Sequence, residues 1–210
     1  MDKPTDTQLF DEEDFPEGNT PQERESIRRI AAHYEEILRL IGENPQREGL
    51  RRTPLRAARA LWYATSGNRT PDPATIMRKA LFTHEGSRIV VVRDIEFYSL
   101  CEHHILPFFG HISVGYIPNG QIVGLSKLAR VVNDVARRLQ VQERFTAQVC
   151  KAVEDALSPA GVMAVCRASH LCMQMRGVEK QSASTVTTHY TGQFETDPSL
   201  RAAFLALING

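Results

Sequence analysis

The chain has 210 residues, 42% hydrophobic and 24% charged, enough for one sizeable core or two small ones. Its 13 glycines and 11 prolines are near average usage, which excludes collagen-like, linker-like and wholly disordered classes. Lys plus Arg and Asp plus Glu number 25 each, but residues 1–20 hold seven acids against one lysine, so the remainder is mildly basic, a balance that suits small anions better than duplex nucleic acid.

Met1 to Thr20 is polar, acidic and interrupted by Pro4, Pro16 and Gly18, and is expected to form a disordered tail. It carries no apolar stretch of the kind a secretory signal needs. No run reaches the roughly 18 apolar residues of a membrane span, since even Ile89-Val90-Val91-Val92 stops at Arg93. A cytoplasmic protein without membrane contact is the expectation. Ile27, Ile30, Ala31, Tyr34, Ile37, Leu38 and Ile41 recur at steps of three and four, which predicts a helix from Pro21 to the stop at Gly42. Thr53-Pro54 predicts an N-cap and first turn for a second helix that runs through Ala57, Ala60, Leu61 and Trp62 to Gly67. A short third helix is expected over Ala74 to Leu81. These elements make an N-terminal helical segment, residues 21–82, ahead of a domain over residues 83–210.

Arg88 to Phe97 and His111 to Pro118 are rich in Val, Ile, Phe and Tyr, and Pro118-Asn119-Gly120 is a turn signal, so strands are expected there. Leu128, Val131, Val132, Val135 and Leu139 follow Ser126 with helical spacing. Phe145, Val149, Val153, Ala156 and Leu157 mark another helix, closed by Ser158-Pro159-Ala160-Gly161. Gly161 to Arg176 alternates as one long strand, Ser184 to Phe194 reads as another, and Pro198 to Ile208 as a closing helix. The class is α+β, with about four strands and helices on one face.

Four cysteines in a chain without an export signal argue against a disulfide framework and leave metal binding or burial. Cys101-Glu102-His103-His104 places a thiol and an imidazole three residues apart, a spacing that suits zinc. A buried cysteine beside a hydrogen-bonded histidine explains that segment more simply. In His170-Leu171-Cys172-Met173-Gln174-Met175-Arg176, strand periodicity puts His170, Cys172, Gln174 and Arg176 on one face and leaves the apolar residues on the other. If Cys172 joins Cys101 and His104, a metal has three protein ligands and an open fourth position, as in a catalytic zinc site. His103 and His170 then stand where they can move protons.

Lys127 and Arg130 share a helix face next to the helix start at Gly124 and Ser126, an arrangement that suits phosphates. A solvated basic face continued by Arg137 and Arg138 accounts for the same residues. Glu143, in Gln142-Glu143-Arg144, opens a helix, where a carboxylate is favoured by the helix dipole alone. A carboxylate is equally the group that accepts two N–H bonds from the edge of a guanine.

Read together, four segments resemble the GTP cyclohydrolase I family: Ser99 to His104, Gly124 to Lys127, Gln140 to Arg144, and His170 to Val178. The resemblance implies zinc, one ion per subunit, on Cys101, His104 and Cys172, with His103 and His170 as acid–base residues. It implies that Glu143 anchors guanine with Gln142 beside it at the base or ribose, and that Ser126, Lys127, Arg130, Arg176 and Arg56 hold the triphosphate. It implies the tunnelling fold, in which antiparallel sheets from several subunits close a barrel with helices outside, and a homodecamer with its sites between subunits. The reaction implied is hydrolysis of GTP at C8 with release of formate and ring expansion to 7,8-dihydroneopterin triphosphate, the first step towards folates and pterins. Nitrile reductases and pyruvoyl-tetrahydropterin-type synthases share that fold but lack this combination of residues. A zinc protein that binds nucleic acid through Arg130, Arg137 and Arg138 would need a fourth metal ligand, and no nucleic-acid partner is expected.

Overall fold

The computed structural model describes residues 19–84, 86 and 88–210. All but the last two residues of the expected acidic tail lie outside them. The chain divides into two compact units, one ending at Tyr63 and the other starting at Ala64. Among the described residues no helix is long and apolar enough to cross a membrane.

In the first unit, α1 (Pro21–Leu40) opens on a capping box: the Thr20 hydroxyl accepts the Glu23 amide at 3.2 Å and the Glu23 carboxylate accepts the Thr20 amide at 2.9 Å. The next helix, α2 (Thr53–Ala64), starts on Thr53 itself. The Thr53 hydroxyl donates back to the Gly49 carbonyl at 3.4 Å instead of capping the first turn as expected. Ile27 and Ala31 bury against Leu55 and Ala58, with Ile30, Tyr34 and Trp62 around them.

The second unit continues through a 3-10 turn at Ser66–Arg69, α3 (Ala74–Arg78), β1 (Leu81–Thr83), β2 (Val90–Cys101), β3 (Pro107–Ile117), β4 (Gln121–Val123) and α4 (Leu125–Ala136). It goes on with β5 (Leu139–Gln140), α5 (Gln142–Leu157), β6 (Gly161–His170), α6 (Leu171–Gln174), β7 (Thr185–Tyr190), α7 (Gln193–Thr196) and α8 (Pro198–Asn209). The main sheet has the order β5-β2-β3-β6-β7, antiparallel except where β5 joins β2, and β1 pairs with β4 as a separate ribbon. The class is α+β as expected. The main sheet has five strands instead of about four, because β5 is two residues long and too short to show a period in the sequence.

Strand alternation sends two sets of side chains to opposite faces of this sheet. Phe97, Phe108, Ile112, Val114, Val162, Ala164 and Cys166 face α4 and α5 and form the main core with Val131, Val135, Phe145 and Val149. Met163 and Val165 face the other way and pack with Phe194, Phe204 and Ile208 of α7 and α8. The expectation of helices on one face is therefore corrected, since α8 covers one end of the second face. Gly115 permits this approach: a Cβ there would stand 2.6 Å from the Phe204 ring. Beyond α8 the same face carries exposed Tyr98, Phe109 and Val186, with the Tyr98 and Phe109 rings stacked at 5.9 Å.

The long strand expected from Gly161 to Arg176 ends at His170, where the chain turns into α6. β6 contains Val162 and Val165, whereas Leu171-Cys172-Met173-Gln174 has no β-branched residue and suits a helical turn. His170, Cys172, Gln174 and Arg176 consequently do not share a strand face.

Candidate active site

Cys101 is the last residue of β2 and the start of a tight turn. Its amide donates to the Leu106 carbonyl at 2.8 Å, and the Ile105 amide donates to the Cys101 carbonyl at 2.8 Å. Ile105 sits at φ 54, a left-handed conformation that costs a β-branched residue strain and is held by these bonds. The turn presents Cys101 from the core and His104 from the surface. The helical turn of α6 brings Cys172 to them, and the three donor atoms lie within 4.8 Å of one another.

Two thiols and an imidazole match the donor set of zinc, and two sulfurs on a tetrahedral ion stand roughly 3.8 Å apart, so the group needs to close by no more than about 1 Å. No fourth His, Cys, Asp or Glu joins the group among the described residues. Burial and the neighbouring Cys101 sulfur push the Cys172 thiol up, a cost that a dication at the same point would reverse. Cys150 and Cys166 are buried elsewhere in the core, and burial pushes both thiols up, which leaves them inert.

His103 is on the exposed side of the turn, with Nδ1 3.7 Å from Cys101 Sγ and Nε2 4.0 Å from the Glu102 carboxylate. His170, at the end of β6, stacks on Phe108 with ring centroids 4.7 Å apart and planes 3° from parallel. Its Nε2 is 2.8 Å from Gln142 Oε1. Burial lowers the His170 pKa, and the charge of Glu143 opposes that shift, which places the Glu143 carboxylate in the same electrostatic neighbourhood. Gln142 itself is 1% exposed and its amide nitrogen contacts Cys166 O, Thr185 O and Thr187 Oγ1. The amide nitrogen is thus turned towards β6 and β7, and the oxygen towards His170. Arg176 lies close enough to Cys172 to favour its thiolate.

Ser126, Lys127 and Arg130 occupy the first turns of α4, whose N-cap is Gly124. α4 starts beside β4, where Tyr116 Oη accepts the Val123 amide at 3.2 Å, and ends beside Ser99, whose hydroxyl donates to the Arg138 carbonyl at 3.4 Å. Lys127 is thus about 14 Å along the helix axis from the end that approaches Cys101. Arg56 belongs to α2 in the N-terminal unit.

Three contributors were not legible in the sequence. Phe108 stacks on His170, Thr187 supports Gln142, and Arg144 bridges to Glu102. Each acts across a sequence separation that no local pattern reports.

Fold and donors together define an α+β chain with an open, metal-competent Cys-His-Cys group at one end of its sheet. Its sequence matches the GTP cyclohydrolase I family over residues 30–209. GTP cyclohydrolase 1 of Porphyromonas gingivalis is 51% identical over 187 residues, 89% of this chain and 96% of the relative. That of Chlorobaculum tepidum is 53% identical over 82% of this chain and 76% of the relative, and that of Homo sapiens 46% over 91% and 78%. The chain belongs to the GTP cyclohydrolase I family and is an enzyme of that kind.

Proposed function

We propose that this enzyme hydrolyses GTP at C8, releases that carbon as formate and recloses the ring system as 7,8-dihydroneopterin triphosphate. The observation that carries the reading is the convergence of Cys101, His104 and Cys172 within 4.8 Å, next to His170, in a chain of this family. Zinc, one ion per subunit, suits these donors, and when bound it supplies a Lewis acid that makes water a nucleophile near pH 7. His170 and His103 take the acid–base roles, exchanging protons with the purine nitrogens as the imidazole ring opens. Glu143 accepts the paired N–H groups of the guanine edge. Ser126, Lys127 and Arg130, with Arg176 and Arg56, hold the triphosphate, helped by the free amides and dipole of the α4 N-terminus.

A homodecamer with sites between subunits fits two features of the single chain. Among the described residues Tyr98, Phe109 and Val186 are exposed on one sheet face and β5 and β7 are the edge strands, and neighbouring subunits closing a barrel would cover both. The axial distance between Lys127 and the Cys-His-Cys end of the sheet accords with a site whose triphosphate residues and metal ligands come from different chains. Four free thiols accord with a cytoplasmic setting, where the product would enter folate and pterin synthesis.

Incubation of the purified, zinc-loaded protein with GTP tests the reading. Stoichiometric formate and a fluorescent pterin after oxidation are expected. A protein with full zinc and intact assembly that releases neither would overturn it.

A further inference from the structure

The amide of Gln142 is oriented by the carbonyl and hydroxyl oxygens around its nitrogen. Its nitrogen is 3.2 Å from Cys166 O, 3.0 Å from Thr185 O and 3.1 Å from Thr187 Oγ1. The first two are carbonyls and only accept. The Thr146 hydroxyl donates to the Gln142 main-chain carbonyl at 2.8 Å, so its single hydrogen is committed. Thr187 Oγ1, 2.7 Å from Thr146 Oγ1, must then spend its own hydrogen on that contact, and towards Gln142 it too is an acceptor. Three acceptors surround one atom of the amide, and that atom is the nitrogen. A flipped amide would set its oxygen against two buried carbonyl oxygens.

The other end of the amide is therefore Oε1, which accepts and never donates, and it faces His170 Nε2 at 2.8 Å. Nε2 must carry the hydrogen. Among the described residues no hydrogen bond holds Nδ1. The parallel Phe108 ring fixes the imidazole plane, so rotation about the hydrogen bond is blocked as well.

We propose that Gln142 is a positioning residue for the reaction: it holds His170 as the Nε2–H tautomer in a fixed plane and confines proton exchange with the substrate to Nδ1. The proposal rests on the reading of His170 as an acid–base residue. It also explains why Gln142 and Glu143 are consecutive. One residue of the first turn of α5 sets the imidazole and the next offers its carboxylate to the purine, so base and proton carrier are registered by a single backbone step. The support is rigid, because Gln142 is anchored to both β6 and β7 and is buried in full.

The tautomer is measured first, in the unmodified zinc-loaded protein. Nitrogen-15 NMR of histidine-labelled protein, with the His170 signals assigned by their loss in His170→Asn, is expected to show a protonated Nε2 and a bare Nδ1. A protonated Nδ1 with a bare Nε2, or a mixture of the two, would overturn the proposal without requiring any Gln142 variant to fold. Gln142→Met keeps the volume and removes the acceptor. It is expected to lower kcat about 10- to 100-fold, with KM for GTP and bound zinc unchanged. A raised KM with unchanged kcat would make Gln142 a substrate contact and overturn the positioning role. Failure of the wild-type protein to release formate would remove the acid–base reading while leaving the tautomer result intact.

Discussion

Arg144 in the first turn of α5 binds the carboxylate of Glu102, the residue between Cys101 and His103. The same guanidinium donates to Gln140 Oε1 at 3.0 Å and to the Leu139 carbonyl at 2.9 Å, and the Glu102 amide reaches the Gln140 carbonyl at 3.0 Å. One arginine therefore ties the turn that carries Cys101, His103 and His104 to β5 and α5. It also holds the Glu102 carboxyl below the usual carboxylate range. Removing a group that orients metal ligands commonly costs about 10- to 100-fold in metal affinity. Arg144→Ala is expected to raise the rate of zinc release to a chelator by that factor with the fold intact. Arg144→Lys, which keeps the charge but loses the fork, recovers only part of it. Release at the wild-type rate in both variants would show that the turn holds itself.

Cys101→Ser, His104→Ala and Cys172→Ser are each expected to bind far less than one zinc per subunit and to release no formate. With three protein ligands, losing one removes a large share of the coordination energy. Metal analysis beside a formate assay checks this, and full zinc with wild-type turnover in any of the three contradicts the ligand assignment. Chelation of the wild-type protein should abolish turnover, and returning zinc should restore it.

The candidate metal donors were visible in the sequence because Cys101 and His104 are three residues apart and Cys172 lies in a segment dense with chemistry. Their convergence was reached through a wrong local structure. Alternation in His170 to Arg176 imitates a strand, whereas the chain bends after His170 and it is the helical turn that delivers Cys172. The partners of Gln142 were hidden for a different cause. Its nitrogen reaches Cys166 and Thr185 across the pairing of β6 with β7, and that pairing joins residues far apart in the chain. The second layer on the sheet was hidden likewise, since nothing near Pro198 says which face α8 will cover.

Two glycines of β3 are expected to differ sharply on substitution. A Cβ at Gly115 meets the Phe204 ring at 2.6 Å, an obstacle that can shift, so Gly115→Ala should cost about 1–3 kcal/mol as an overpacked core does. A Cβ at Gly110 meets the Arg167 carbonyl oxygen at 2.0 Å, and backbone in a paired strand does not yield. Gly110→Ala should lose more stability than Gly115→Ala, and should lower kcat, because it pushes apart the strands that carry Phe108 and His170. Chemical denaturation and steady-state kinetics on both variants decide the order.

Asp197 caps α8, accepting from the Ser199 hydroxyl at 2.6 Å and the Ser199 amide at 2.8 Å. These bonds depress its pKa below the ordinary 3.8. A carboxylate whose folded pKa is depressed adds stability that is present above 3.8 and is lost as pH falls through the folded value. Asp197→Ala should lower Tm at pH 7, and the gap to wild type should narrow once pH drops below 3.8. A gap independent of pH would mean that Asp197 acts through packing and not through its charge.

Lys127 begins α4 near the β1–β4 ribbon, while Cys101 ends β2 near the opposite end of that helix. The axial separation is about 14 Å, longer than a lysine side chain. A site shared between subunits predicts that Lys127 of one chain serves the Cys101 of another. Two inactive variants, Cys101→Ser and Lys127→Ala, are dissociated, mixed and reassembled. In a mixed oligomer with shared sites some interfaces would unite an intact Lys127 with an intact Cys101, and those sites should recover activity in proportion to their number. Native mass spectrometry confirms that mixed oligomers formed. Mixed oligomers without any recovered formate release would place Lys127 and Cys101 in one chain's site and contradict the shared arrangement.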